Sequence, residues 1–203
     1  MTLDTLHAGR VNEIHRASGT WVFVDPGFSR ASQTSGLLVQ NAEPTLHTFA
    51  QLCESVSALA RQPDGALNLV LEAPLSAAFT ADGNPAGRRM EKRGNLHRYW
   101  YAGLGCQVTL AAAHLLRAVI EAGPARDIRL FEAFVSFKAP GVPSDHAGDV
   151  RALRDVVWNA HRAPGAIVSP DALPGPHAAH VESAFRVFGF DPGVPPVIVA
   201  DPL

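Results

Sequence analysis

Short apolar runs separated by clusters of Pro, Gly and polar residues set the pattern of this chain, and the period of those runs switches between two and about 3.6. TWVFVD (20–25) and SGLLVQ (35–40) are rich in aromatic and β-branched residues. With the polar FSRASQT between them they predict a β-hairpin that opens the ordered fold near Thr20. From Leu46 the period lengthens. Leu46, Phe49, Cys53, Val56 and Ala60 recur at three- and four-residue steps, and Glu43 and Pro44 suit a helix start, so a helix is expected up to PDG at 63–65. LNLVLE (67–72) is continuously apolar and bounded by turn residues, as in a strand covered on both faces.

Residues 73–95 are rich in Gly and Pro and basic at their end, which predicts a mobile loop of functional use. A second helix is expected over Leu104–Glu121, with Val108, Ala112, Leu115 and Val119 inward, and a strand over 128–137, IRLFEAFVSF. Two further helical stripes follow, Val150, Leu153, Val157 and His161 in DHAGDVRALRDVVWNAHR, then Val181, Phe185 and Phe188 in HAAHVESAFRVFG. The proline-rich PGAIVSPDALPGP connects them, and PPVIVADPL closes the chain as a strand or extended tail. Residues 1–19 are weakly patterned, a lead-in or short helix, and 20–203 read as one domain. Strands alternating with helices after a hairpin imply an α/β fold, a mixed sheet with helices on both faces.

Composition narrows this little. Apolar residues at 47% and charged residues at 18% are those of a globular protein, and 203 residues suffice for one core. The net charge of −2 makes no global case for nucleic acid, yet Arg88, Arg89, Lys92, Arg93 and Arg98 crowd into one segment that also carries aromatic residues, GRRMEKRGNLHRYWY. That mixture tracks phosphates and stacks bases; a solvated helix flank with Tyr99, Trp100 and Tyr101 in the core is the alternative. Cys53 and Cys106 fall in apolar helical patterns, as buried reduced thiols do, and the cytoplasm is the expected compartment. Neither a signal core nor an apolar run of about 18 residues is evident, so no membrane is expected.

The chemistry-bearing feature is a pair of acids at strand ends, Asp25 in VDPG and Glu72 in LEAPLS. Open α/β sheets gather ligands at the carboxyl ends of neighbouring strands. Asp25 also suits a plain turn, and a salt bridge to Arg88 or Arg129 would satisfy Glu72. Glu132 stands on a strand that is able to point it at solvent. Asp149 suits the first turn of a helix, where the macrodipole favours an acid, and it competes with Glu182 for a late acidic position. His177 and His180 lie just before Glu182, at what reads as a solvated helix start, and His146 ranks below them.

Taken in order, VDPG, LEAPLS, IRLFEAFVSF and HVESAFRVFG resemble the motifs of the ribonuclease H-like superfamily, nearest to its uncharacterised predicted-nuclease branch related to RuvC-type resolvases. The likeness covers most of residues 20–190, with Glu72 where Asp is common and Glu182-Ser183 where Asp-Ala is usual. It implies a ribonuclease H-like sheet and a catalytic set of Asp25, Glu72, Glu132 and Glu182. Asp25, Glu72 and Glu182 would hold Mg²⁺ or Mn²⁺, and the Arg88–Arg98 segment would grip nucleic acid. Two carboxylates at ~4 Å repel by roughly 4 kcal/mol at an effective dielectric near 20, so an all-oxygen cluster calls for a hard divalent cation. Two such ions serve phosphodiester hydrolysis. Other expectations stand beside a metal-dependent nuclease: a non-catalytic binding or assembly module on the same fold, or an actin-like phosphotransferase, against which the lack of an internal repeat argues. G-x-S-x-G, Walker, H-E-x-x-H and C-x-x-C patterns are absent from the sequence.

Overall fold

The computed structural model describes residues 5–27, 32–135, 137 and 145–200. Eight strands form the main sheet: β1 (Leu6–Ala8), β2 (Thr20–Asp25), β3 (Ser35–Val39), β4 (Thr45–His47), β5 (Leu67–Leu71), β10 (Ile128–Phe134), β11 (Ile167–Val168) and β13 (Val197–Val199). Their order is β11-β13-β10-β5-β2-β3-β4, with β1 beside β10. β6 (Ser76–Phe79), β7 (Pro85–Ala86) and β12 (His180–Ser183) make a small second sheet, and β8 (Lys92–Arg93) with β9 (Leu96–His97) a separate hairpin. The helices are α1 (Phe49–Ala60), α2 (Leu104–Glu121) and α3 (His146–Trp158). β2, β3 and β4 form an antiparallel meander, while β5, β10 and β13 run parallel to β2.

Strand alternation sorts side chains between two layers. Val22 and Val24 of β2, and Leu67, Leu69 and Leu71 of β5, pack with Leu52 and Val56 of α1 and Val108, Leu115 and Val119 of α2. Trp21, Phe23 and Val70 turn the other way, onto Val150, Leu153 and Val157 of α3. Trp21 and Phe131 meet there at 5.0 Å between ring centroids. Both faces of the central strands are thereby covered, which is why LNLVLE is mostly apolar, with Asn68 and Glu72 buried as well.

Several expectations are corrected. Residues 6–8 are a strand of the main sheet, paired with β10 from Leu6↔Ile128 to Ala8↔Leu130. The first helix begins at Phe49, not Leu46. The Thr48 hydroxyl accepts from the Gln51 backbone N–H at 3.3 Å, and Gln51 Oε1 accepts from the Thr48 backbone N–H at 3.0 Å, a capping box that leaves 45–47 free to pair with β3. Residues 73–95 are built into β6, β7 and the start of the hairpin. The helix expected over 177–189 is β12 followed by a 3-10 turn, Ala184–Phe188, because Val181 and Glu182 pair with Ala78 and Ala77 of β6. His161 falls in a separate turn after α3, and Cys106 is exposed, unlike Cys53. Residues 1–4, part of the hairpin connection (28–31), residues 136 and 138–144, and the 201–203 tail lie outside the described residues. By length and composition α2 matches a membrane span, but half of that window is packed inside the fold, as in a core helix.

Candidate metal centre

Asp25 shares the parity of Trp21 and Phe23 on β2, so its side chain leaves the sheet on the α3 side. Glu72, one residue beyond β5, follows Val70 to the same side, and its backbone N–H continues the ladder to Val24 O at 2.9 Å. β2 and β5 are parallel neighbours, with Val24 opposite Leu71, so both acids reach one rim. They line a cavity of about 630 Å³ together with His146, Gln107, Leu104 and residues 95–98.

The N-terminus of α3 supplies the rest. Asp145 caps it, its carboxylate accepting from Gly148 N–H at 2.9 Å, and two residues lie between His146 and Asp149, a spacing that puts both on one helical face. His146 Nδ1 lies 2.6 Å from Asp25 Oδ2. Ligand atoms of Asp25, His146 and Asp149 all fall within 4.8 Å of one another. This approach depends on Gly36, which pairs with Asp25 on β3: a Cβ there would come within 2.5 Å of His146 O. Gly27 of VDPG is equally constrained, since a Cβ would sit 2.1 Å from Thr34 O.

Asp25, Glu72 and Asp149 are all buried. Burial, then the charge of Asp25 and a side-chain hydrogen bond that the two carboxyls share, push Glu72 up to about 8, against the pull of Arg98. Arg98 Nη1 donates to Glu72 Oε1 at 3.1 Å. A proton and Arg98 thus offset the crowding at Glu72. Two carboxylates and one imidazole could hold a divalent cation: the oxygens suit Mg²⁺ or Mn²⁺, and the imidazole suits Zn²⁺ or Fe²⁺.

The remaining expected site residues lie elsewhere. Glu132 shares the parity of Ile128 and Leu130, so it leaves β10 on the opposite face. There it pairs with Arg88 at 2.6 Å, while its Oε2 accepts from Leu75 N–H at 2.9 Å and from the Ser76 hydroxyl at 3.2 Å. Arg88 is 2% exposed and also pairs with Glu91 at 2.9 Å, so it is a buried structural cation that no phosphate reaches. Glu182 sits on β12, ion-paired with Arg186 at 2.6 Å, and is not among the clustered ligands. His180 is exposed and stacks on Phe79, and His177 is exposed in a turn. Asp149, not Glu182, is the late acid of the cluster, and the His-x-x-Asp spacing at a capped helix start is the signal that marked it.

Of the basic segment, Arg89, Lys92 and Arg93 are exposed, and Arg98 is drawn inward to Glu72. Lys92 and Arg93 sit on the hairpin whose other arm, Leu96 and His97, lines the acidic cavity. Its two-residue turn is Gly94-Asn95, with Gly94 at φ +59°. No family model, curated protein or solved structure matches this chain.

Proposed function

We propose that the chain is a divalent-metal-dependent nuclease of the ribonuclease H-like kind. The observation that carries this reading is the convergence of Asp25, His146 and Asp149 within 4.8 Å, beside buried Glu72, on an open cavity at the ends of β2 and β5. A mixed α/β sheet with helices on both faces agrees at that coarser level with the resemblance of VDPG and LEAPLS, and so supports the reading.

Asp25 and Asp149 would ligate Mg²⁺ or Mn²⁺, with Glu72 joining as its proton leaves. When bound, such ions activate water and stabilise the leaving oxygen of an in-line phosphodiester displacement. His146, held on Asp25 at 2.6 Å, fixes the orientation of that carboxylate. Lys92 and Arg93 draw the phosphate chain toward the cleft, and an incoming positive charge loosens Arg98 from Glu72.

The test is Mg²⁺- or Mn²⁺-dependent cleavage of single-stranded, duplex and branched DNA and RNA. Wild-type protein cuts at least one of them, Asp25→Asn and Asp149→Asn do not, and Glu182→Gln does. Asp25→Asn still binds, having lost a negative charge beside the phosphate path, whereas Lys92→Ala with Arg93→Ala binds less tightly and with a shallower salt dependence. Binding without cutting, unaffected by the acid substitutions, would instead make the chain a binding module.

A further inference from the structure

One feature of the cleft has no use in holding metal or phosphate. His97, Tyr99 and Tyr101, at alternate positions, form a ladder of stacked rings: His97 and Tyr99 centroids are 5.1 Å apart at 25°, Tyr99 and Tyr101 5.3 Å apart at 4°. The ladder is braced from behind. A Cβ on Gly87 would lie 2.6 Å from the Tyr99 ring, so that ring rests against bare backbone, and the Trp100 indole N–H donates to Ala86 O at 3.0 Å. His97 is the end rung, exposed and lining the acidic cavity. Leu96 and Leu104, 51% and 52% exposed, line the same cavity.

Phosphate gains nothing from exposed leucines or a stacked imidazole, but the face of a nucleobase does. In a duplex those faces are already stacked on one another, and only an unpaired strand offers one. We infer that the cleft takes single-stranded nucleic acid, one unpaired base seating on His97 between Leu96 and Leu104 while its phosphate lies toward the carboxylates. This rests on the nuclease reading and names its substrate class.

The test uses the full chain carrying Asp25→Asn, which retains the cleft and does not turn over, with a short labelled oligonucleotide read by fluorescence anisotropy. Three probes of equal length are compared: a single strand, its duplex, and a strand lacking bases at its centre. The single strand binds about tenfold tighter than the other two, a ratio within what stacking one base supplies. Adding His97→Ala removes that advantage and leaves the salt slope unchanged, because no phosphate contact is lost; His97→Phe restores it. Equal binding of all three probes, or an inert His97→Ala, overturns the inference. Metal-dependent cutting of duplex with no single-strand preference overturns it and leaves the nuclease reading standing; absence of binding and cutting on every nucleic acid sinks both.

Discussion

Two acidic clusters sit on this sheet, and they differ in what completes them. Glu132 and Glu91 are closed around Arg88: all three are buried, and Glu132 has a backbone N–H and a hydroxyl besides. Asp25, Glu72 and Asp149 are also buried, but Asp25 and Glu72 line a cavity beside Arg98 and His146, and Glu72 keeps its proton up to about 8. Burial of an acid therefore does not by itself make a site. What separates the two is access: Arg88 and its two carboxylates are sealed inside the fold, whereas Asp25 and Glu72 line an open cavity.

The largest effect that sharpens this contrast is Arg88→Met. Removing the guanidinium strands two buried carboxylates, and denaturant unfolding should register a loss of about 3–5 kcal/mol. Asp25→Asn in metal-free protein should cost less, since it also relieves repulsion with Glu72. Comparable losses in both would erase the distinction between the clusters.

Next comes the metal. Mn²⁺ at a hundred times its dissociation constant should stabilise the wild type by about 2.7 kcal/mol by mass action. Thermal melts of Asp25→Asn and Asp149→Asn should show little of that gain, and Glu182→Gln all of it; an undiminished gain in Asp149→Asn would place the ion elsewhere.

Gly36→Ala comes next in size. The added methyl group meets His146 O, so α3 must shift, at a cost of about 1–3 kcal/mol by overpacking. The Mn²⁺ gain should fall with it, though no ligand has been altered. A variant that loses stability while keeping the full Mn²⁺ response would mean that α3 is not what aligns the centre.

The smallest effect, taken per unit, is in pH. Glu72 holds its proton up to about 8 in the fold and releases it near the ordinary 4.5 when unfolded. Between those values the folded state binds more protons, so stability falls as pH rises, by at most about 1.4 kcal/mol per unit. Glu132, also raised chiefly by burial, contributes with the same sign, so Glu72→Gln should flatten the slope without abolishing it. Mn²⁺ held by Glu72 would displace its proton, so metal affinity should climb with pH up to about 8 in the wild type and not in Glu72→Gln.

Much of the centre was legible wherever alternation governs. The apolar runs around Asp25 and Glu72 located both strands and put both acids at strand ends, and neighbouring parallel strands then brought them to one rim. Glu132 was misjudged because parity relative to the other strands, not a strand's own pattern, decides the face it takes. Glu182 was favoured over Asp149 because HAAHVESAFRVFG has helical spacing, which pairing with β6 overrides. His146 and Asp149 belong together only through the Asp145 cap and the opening at Gly36, and the second of these is a tertiary contact that no local pattern encodes. Arg98 was one of five basic residues in its segment; only the fold singles it out as the partner of Glu72.

The most direct test is anomalous scattering from a crystal of the wild-type protein grown with Mn²⁺. The account predicts manganese between Asp25 and Asp149, with His146 or Glu72 adjacent and the Arg88–Glu132 pair undisturbed. Manganese bound only at other acids, with Asp25, Glu72 and Asp149 closed on Arg98 and solvent, would contradict it.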